Sequence, residues 1–264
     1  MNTHLQIAIQ AAIEAGEAIM EIYQKDFEVE FKADDSPLTE ADQKANRFIM
    51  RYLDKTEFPI ISEENKQTDY QERKNWTSCW IVDPLDGTKE FIKKNGEFTV
   101  NIALVHQQKT TLGVIYVPAT KVLYYADAST ELAQKVQLVK PVFDMDFIQK
   151  NAEAIQPKEH ANNLRIVGSR SHMNEDTTNF IDSLTTNKKI EVVSKGSSLK
   201  FCLVADGDAD IYPRFAPTME WDTAAGQAIC KAVGLQVIDQ KTGKEMLYNR
   251  ENLLNNYFMV SNQK

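Results

Sequence analysis

The chain has 264 residues, of which 42% are hydrophobic and 26% charged, with a formal net charge of −8. That length suffices for one large domain or two small ones with a substantial core. The negative charge disfavours a nucleic-acid surface, which needs basic patches to neutralise phosphates. It leaves room for a small anionic substrate drawn to local lysines or to a metal.

Leu5, Ala8, Ile9, Ala12, Gly16, Ile19, Met20 and Tyr23 recur at helical spacing and predict a helix over 5–25. Gly16 lies on its apolar face, where another helix could approach closely. Residues 27–31 alternate like a short strand. Thr39 is a candidate N-cap with Asp42 three residues on, a capping box with Asp in the Glu position. Ala45, Phe48, Ile49, Tyr52 and Leu53 then form an apolar stripe. Capping alone accounts for Asp42; a place beside a hydroxyl in a site would also suit it.

Residues 59–62 form a short apolar run that ends at Glu63 and Glu64, and 65–76 is a polar, solvent-exposed connection. Trp80, Ile81 and Val82 read as a buried strand running up to Asp83. Pro84 ends it, because proline lacks an N–H and fixes φ. Gly87 permits a tight turn or a close backbone approach. Asp83 and Asp86 are thus presented together at a strand's end, where a hard divalent ion such as Mg²⁺ relieves their repulsion. A surface turn built from Asp, Pro and Gly would contain the same residues. If the two strands lie side by side, Glu63 joins the cluster.

Residues 89–96 are turn-rich. The apolar runs 98–105, 113–117 and 122–126, joined by short links, predict an antiparallel meander. The N-terminal part is then two helices on a mostly antiparallel sheet. From 129 to 163 polar residues dominate and Pro141 and Pro157 interrupt. A domain boundary is placed here, giving an N-terminal domain 1–145 and a C-terminal domain 146–264.

Beyond it, 165–169 and 190–193 read as strands, 180–184 as the end of a helix, and 209–212 as a strand closed by Pro213. Gly196, Ser197 and Ser198 turn into a helix over 199–205; either serine could cap it, leaving N–H groups that face an anion. Trp221 and Asp222 open a helix that Gly234 ends. Exposed N–H groups in the first turn explain an aspartate there. As a metal ligand, Asp222 would be reached from the other domain, placing the site at the interface. Residues 235–238 and 257–260 are closing strands, and the alternation of strand and helix makes this half α/β. Ser169 to His172 offers a nucleophile and a histidine, but no elbow and no triad order, so serine hydrolysis is set aside. Cys79, Cys202 and Cys230 are far apart, as in a cytoplasmic protein with reduced thiols. No secretory leader and no apolar run of about 18 residues is present, so no transmembrane helix is expected; peripheral contact with the inner membrane stays open.

Asp83, Pro84, Leu85, Asp86, Gly87 and Thr88 after an apolar strand, Glu63 and Glu64 upstream, and Trp221 to Gly226 downstream resemble the magnesium-dependent, lithium-sensitive inositol monophosphatase-like superfamily. Order and spacing match over nearly the whole chain. Residues 83–101, 196–201 and 212–215 are similar to the bacterial 3′(2′),5′-bisphosphate nucleotidase (CysQ) branch. The resemblance implies a layered α+β / α/β sandwich with an antiparallel N-terminal sheet, a mixed C-terminal sheet and the active site between the domains. It also implies Mg²⁺ as cofactor, in two or three ions, and inhibition by Li⁺. Glu63, Asp83, Asp86, Asp222 and the Leu85 carbonyl are the implied ligands, with Glu64 beside them. Asp42 and Thr88 are the implied pair that orients and deprotonates water. The implied reaction is hydrolysis of adenosine 3′,5′-bisphosphate to AMP and phosphate, a step of nucleotide metabolism and sulfur assimilation.

A bisphosphorylated nucleoside needs contacts beyond the metals. Gly87 and Thr88 offer N–H groups to the scissile phosphate. Gly196, Ser197, Ser198, Lys200 and Arg214, with Arg170 and Asp222, are the candidate contacts across the cleft. Arg214 stands out because it lies between Pro213 and Phe215 at a strand end. The resemblance is weakest at Met219 and Glu220 and across the linker. An inositol-phosphate or fructose-bisphosphate phosphatase is the alternative enzyme. A non-catalytic phosphoinositide or nucleotide sensor is the alternative outside catalysis, although ligation alone needs neither Asp42 nor Thr88. Monomer and homodimer both remain open.

Overall fold

The structure is a computed structural model that describes residues 1–25, 29–31, 37–169 and 174–262. Helices α1 (Thr3–Tyr23) and α2 (Glu40–Leu53) pack side by side, with a small ribbon of β1 (Val29–Phe31) and β2 (Pro37–Thr39) between them in sequence. Then follow β3 (Ile60–Ser62), α3 (Tyr70–Arg73), β4 (Ser78–Asp86), α4 (Thr88–Ile92), β5 (Thr99–His106), β6 (Lys109–Val117), β7 (Val122–Asp127), β8 (Leu132–Gln137), α5 (Met145–Asn151) and β9 (Glu153–Ala154). Strands β3 to β9 form one sheet in sequence order; β3 and β4 are parallel and every later pair is antiparallel. This sheet reaches Ala154, past the expected boundary at 145, because the short β9 returns onto β8. Two exposed residues carry no pattern from which that strand could be read.

The second half contains β10 (Asn163–Ser169), α6 (Glu175–Ser183), β11 (Lys189–Lys195), α7 (Leu199–Ala205), β12 (Ile211–Arg214), α8 (Glu220–Ala232), β13 (Val237–Asp239), β14 (Lys244–Glu245) and β15 (Phe258–Ser261). They build a mixed sheet in the order β11-β10-β12-β15-β13-β14, parallel at the β11-β10-β12 end and antiparallel beyond.

Strand parity sets the layers. Trp80 and Val82 of β4, with Val100 and Ile102 of β5, pack beneath α1 and α2. Cys79 and Ile81, with Ala103 and Val105, face the opposite way, into a core shared with α7, α8 and the second sheet. Leu164, Ile166 and Ile211 meet Phe180 and Ile181 of α6 on the far side of that sheet. The layers are therefore helix, sheet, helix, sheet, helix. The first sheet is buried on both faces, which is why its strands read as apolar runs.

Four local expectations change. Strand β4 continues through Pro84: Asp83 pairs with Asn101 and Asp86 with Thr99, so a bulge absorbs the proline. Strand β12 likewise includes Pro213, which lies opposite Met259; its other neighbour, β10, pairs with it only at Ile211. A Cβ on Gly16 would lie 2.4 Å from the Tyr116 ring and 3.1 Å from Pro118, so the close neighbour is the β6 end and not a helix. The 65–76 connection is not wholly exposed either. Arg73 is buried and binds the backbone of Arg250 and Glu251.

Candidate active site

The parallel register of β3 and β4 sets Ser62 beside Val82, so the residues that follow, Glu63 and Asp83, emerge together. Asp83 has the parity of Ile81 and points toward α8. The bulge then turns the chain: Leu85 N–H donates to Asp83 Oδ1 at 3.1 Å, and Gly87 takes φ +93° before α4 begins. A side chain at Gly87 would be strained by that φ and would meet the Glu97 carbonyl at 3.1 Å. Carboxylate oxygens of Glu63, Asp83 and Asp222 all lie within 4.8 Å of one another. The resulting cluster draws on both halves of the chain.

Two helix starts aim carboxylates into this region. Thr39 caps α2, accepting from Ala41 N–H at 3.2 Å. Asp42 Oδ2 accepts from both the N–H and the hydroxyl of Thr39, each at 2.7 Å. Its other oxygen, Oδ1, accepts from the Thr88 hydroxyl at 3.3 Å. The capping role and the site role are thus both present, one on each oxygen. Asp222 stands at the same position of α8, and its Oδ2 accepts from Met219 N–H at 2.8 Å.

Burial and mutual repulsion favour the protonated forms of Asp83, Asp222 and Asp42 when no cation is bound. Asp83 is raised well above the ordinary carboxylate range, by desolvation first and then by Glu63, Asp86 and Asp222. Asp222 is pushed up to about 8 by burial, then by Asp86 and Glu63. Asp42 is pushed up to about 6 by burial, against the two Thr39 hydrogen bonds that lower it. Asp83 Oδ2 is buried without a hydrogen-bond partner among the described residues. An orphaned oxygen in an all-oxygen donor set suits a hard divalent cation.

Asp86 lies on the same wall, but its Oδ2 is held by Ser198 Oγ at 2.6 Å and Asn101 Nδ2 at 3.2 Å. Ser198 Oγ also lies 2.8 Å from the Asp222 main-chain carbonyl and is buried behind the cluster, away from the cavity lining. Its hydroxyl faces Asp86 and the start of α8 and is not presented to a ligand. Asn101 is a site residue that sequence reasoning missed. A lone amide inside the apolar run 98–105 was the available signal.

The cluster opens on a cavity of about 260 Å³ lined by Leu85, Gly87, Thr88, Gly196, Ser197, Lys200 and Arg214. Glu90, Tyr212, Pro217, Thr218 and Thr223 also line it, and none of them was singled out from sequence. Arg214 donates through Nη2 to the Pro217 carbonyl at 3.0 Å, while its Nε is buried without a partner among the described residues. Ser197 Oγ is in the same condition. Lys200 is buried and donates to the Ser197 carbonyl; burial pulls its ammonium down to about 8. Arg170 lies outside the described residues.

The chain matches the model of the inositol monophosphatase family over residues 1–264. It is 43% identical to the 3′(2′),5′-bisphosphate nucleotidase CysQ of Salmonella typhimurium over 262 residues, covering 97% of this chain and 99% of that one. Identity to the protein of the same name from Escherichia coli strain K12 is 42% over 257 residues, covering 96% and 97%. The crystal structure of CysQ from Bacteroides thetaiotaomicron, a bacterial member of the inositol monophosphatase family, superposes with a TM-score of 0.89 at 45% identity, covering 99% of this chain and 98% of that one.

Proposed function

This chain belongs to the inositol monophosphatase family, and we infer that it is a 3′(2′),5′-bisphosphate nucleotidase hydrolysing adenosine 3′,5′-bisphosphate to AMP and phosphate. The observation that carries this is the convergence of Glu63, Asp83 and Asp222 within 4.8 Å beside the Asp42–Thr88 pair, in a chain 43% identical to a nucleotidase of that name. Glu63, Asp83, Asp86, Asp222 and the Leu85 carbonyl would hold Mg²⁺, which supplies Lewis-acid activation of water and neutralises phosphate charge.

The chain's own residues do the rest. The Thr88 hydroxyl lies 3.3 Å from Asp42 Oδ1 and 3.4 Å from the Leu85 carbonyl; with its proton toward Asp42, its lone pairs can accept from a water in the cavity. Asp42, raised to about 6, is ionised at pH 7 and yet more basic than an ordinary carboxylate. A proton taken by Thr88 can therefore pass to Asp42. The Gly87 and Thr88 N–H groups start a short helix facing the cavity and suit phosphate oxygens. Arg214 Nε and Ser197 Oγ, buried in the cavity wall without a hydrogen-bond partner among the described residues, suit the second phosphate and the ribose. Among the described residues no helix is long and apolar enough to cross a membrane. The three buried, unpaired cysteines suit the cytoplasm.

Phosphate release from adenosine 3′,5′-bisphosphate, adenosine 3′-monophosphate and inositol monophosphate, with and without Mg²⁺, tests this. The bisphosphate should be the best substrate and chelation should abolish turnover. A preference for inositol monophosphate would overturn the nucleotidase assignment. Arg214→Ala should lower kcat/KM about ten- to a hundredfold on the bisphosphate, the loss of one charge-assisted contact, and hardly at all on the 3′-monophosphate.

A further inference from the structure

The start of α8 carries Asp222 into the cluster, yet its N-cap residue is Met219. A thioether is a weak acceptor where a hydroxyl or carboxylate would bind the first N–H groups. The turn is held instead by a distant segment, 249–255. Glu220, fully buried, accepts from Asn249 N–H at 2.6 Å through one oxygen. Through the other it accepts from Arg250 N–H at 3.1 Å and Arg250 Nε at 3.0 Å. In return, Glu220 N–H donates to the Leu253 carbonyl at 2.9 Å. Asn255 Nδ2 lies 2.7 Å from the Met219 carbonyl, 3.1 Å from Thr223 Oγ1 and 3.2 Å from Thr218 Oγ1. Its Oδ1 accepts from Arg250 Nη2 at 2.8 Å, which closes the ring of contacts.

The segment is tied in turn to the first half of the molecule. Arg73 Nη1 donates to Asn249 Oδ1 at 2.8 Å and to the Arg250 carbonyl at 3.1 Å, and Asn249 Nδ2 returns a bond to the Arg73 carbonyl at 2.8 Å. Arg73 closes the connection that begins just after Glu63. One polar network therefore joins the connection behind one carboxylate of the cluster to the helix turn behind another.

We propose that Glu220 and Asn255 are positioning residues for the divalent-cation site: they stand in for the side-chain cap that Met219 does not give α8, and hold the turn from which Asp222 meets Glu63 and Asp83. This rests on the proposed ligand role of the cluster. Burying a carboxyl group at a helix start is costly unless its oxygens are hydrogen-bonded, and here both oxygens are bonded by Asn249 and Arg250. Partners that orient a ligand in this way change metal affinity roughly ten- to a hundredfold when removed.

The test is Mn²⁺ binding to the full chain by isothermal titration and by loss of the free-ion EPR signal, with kcat measured at saturating Mg²⁺. Glu220→Gln turns an amide donor toward Arg250 or Asn249, and Asn255→Ala removes the bonds to Met219, Thr218 and Thr223. Both should bind Mn²⁺ about ten- to a hundredfold more weakly, with kcat recovered near wild type at saturating metal. Where Glu220→Gln fails to fold, Asn255→Ala carries the comparison. Tyr248→Phe removes hydrogen bonds to Thr223 and Gln227 but leaves every bond to Glu220 and Met219 in place, and should keep wild-type affinity at a matched loss of Tm. Unchanged Mn²⁺ affinity in both clamp variants, or an equal loss in Tyr248→Phe, overturns the proposal. A wild-type chain that binds no Mn²⁺ overturns the metal cluster itself and the clamp with it.

Discussion

Helices α2 and α8 each place an aspartate at the third position of their first turn, with one oxygen on the N-cap N–H and the other free for the site. They are held by opposite means. Around Asp42 every fixing bond except that from Thr88 comes from Thr39, three residues away. Around Asp222 the carboxylate bond is also local, from Met219 N–H, but the turn that carries it is fixed by residues 249–255 and, through them, by Arg73. In its proposed role as base, Asp42 has one partner at the site, the Thr88 hydroxyl, and its own turn suffices to present it. A carboxylate that must meet two others from another sheet has to be registered against that sheet, and only a long-range network does so.

Asp222→Asn should have the largest effect. Its amide oxygen must remain on Met219 N–H, so the NH₂ group turns into the cluster, where it cannot ligate. Loss of several kcal/mol of charge stabilisation lowers kcat/KM on the order of 10³-fold. Steady-state kinetics over a Mg²⁺ series check this, and a fall of less than tenfold at low Mg²⁺ would remove Asp222 from the ligands.

Asp42→Asn should come next, with a different signature. Both Thr39 donors bind Oδ2, so the amide oxygen again takes the capping side and NH₂ faces the Thr88 hydroxyl. The cap and the fold survive, since Thr39 remains the N-cap and the amide oxygen keeps both of its bonds. The base does not, and kcat should drop roughly 10²-fold or more with Mn²⁺ affinity and Tm unchanged. Near-normal kcat would return Asp42 to a purely structural role.

Thr39→Ala is a milder break on the α2 side. It removes a cap worth about 1 kcal/mol and one of the two bonds to Asp42, so a small Tm loss should accompany a few-fold loss of kcat, and Mn²⁺ binding should stay as in wild type. Weakened Mn²⁺ binding would show that the two helix starts are not separable.

The smallest effect is on stability with pH. Asp42 and Asp222 have folded-state pKa values raised to about 6 and about 8, and burial and its acidic neighbours hold Asp83 well above the ordinary carboxylate range. The folded chain without metal then holds more protons than the unfolded one above pH 4 or so, and stability falls as pH rises through those values. The Tm of chelated protein should be lower at pH 8 than at pH 6, and saturating Mg²⁺ should shrink or reverse the difference. A chelated protein more stable at pH 8 would contradict the buried cluster.

Much of the site was legible because it is local. The apolar run to Asp83, the turn at Gly87 and the spacing of Thr39 and Asp42 depend on neighbours a few residues away, and period and cap chemistry reveal them. The antiparallel meander was legible for the same reason, since short links leave few other ways to pair. Other features were decided only by the assembled sheets and helices. A bulge against β5 lets β4 continue through Pro84. The hydroxyl of Ser198 faces Asp86 and not the cavity, and the distant Arg73 and Glu220 meet the segment 249–255. Each depends on which strand or helix lies alongside. A chain specifies its own turns through bonds that close within a few residues, whereas the meeting of Glu63, Asp83 and Asp222 depends on how two sheets stack around α8, and no short stretch of sequence records that.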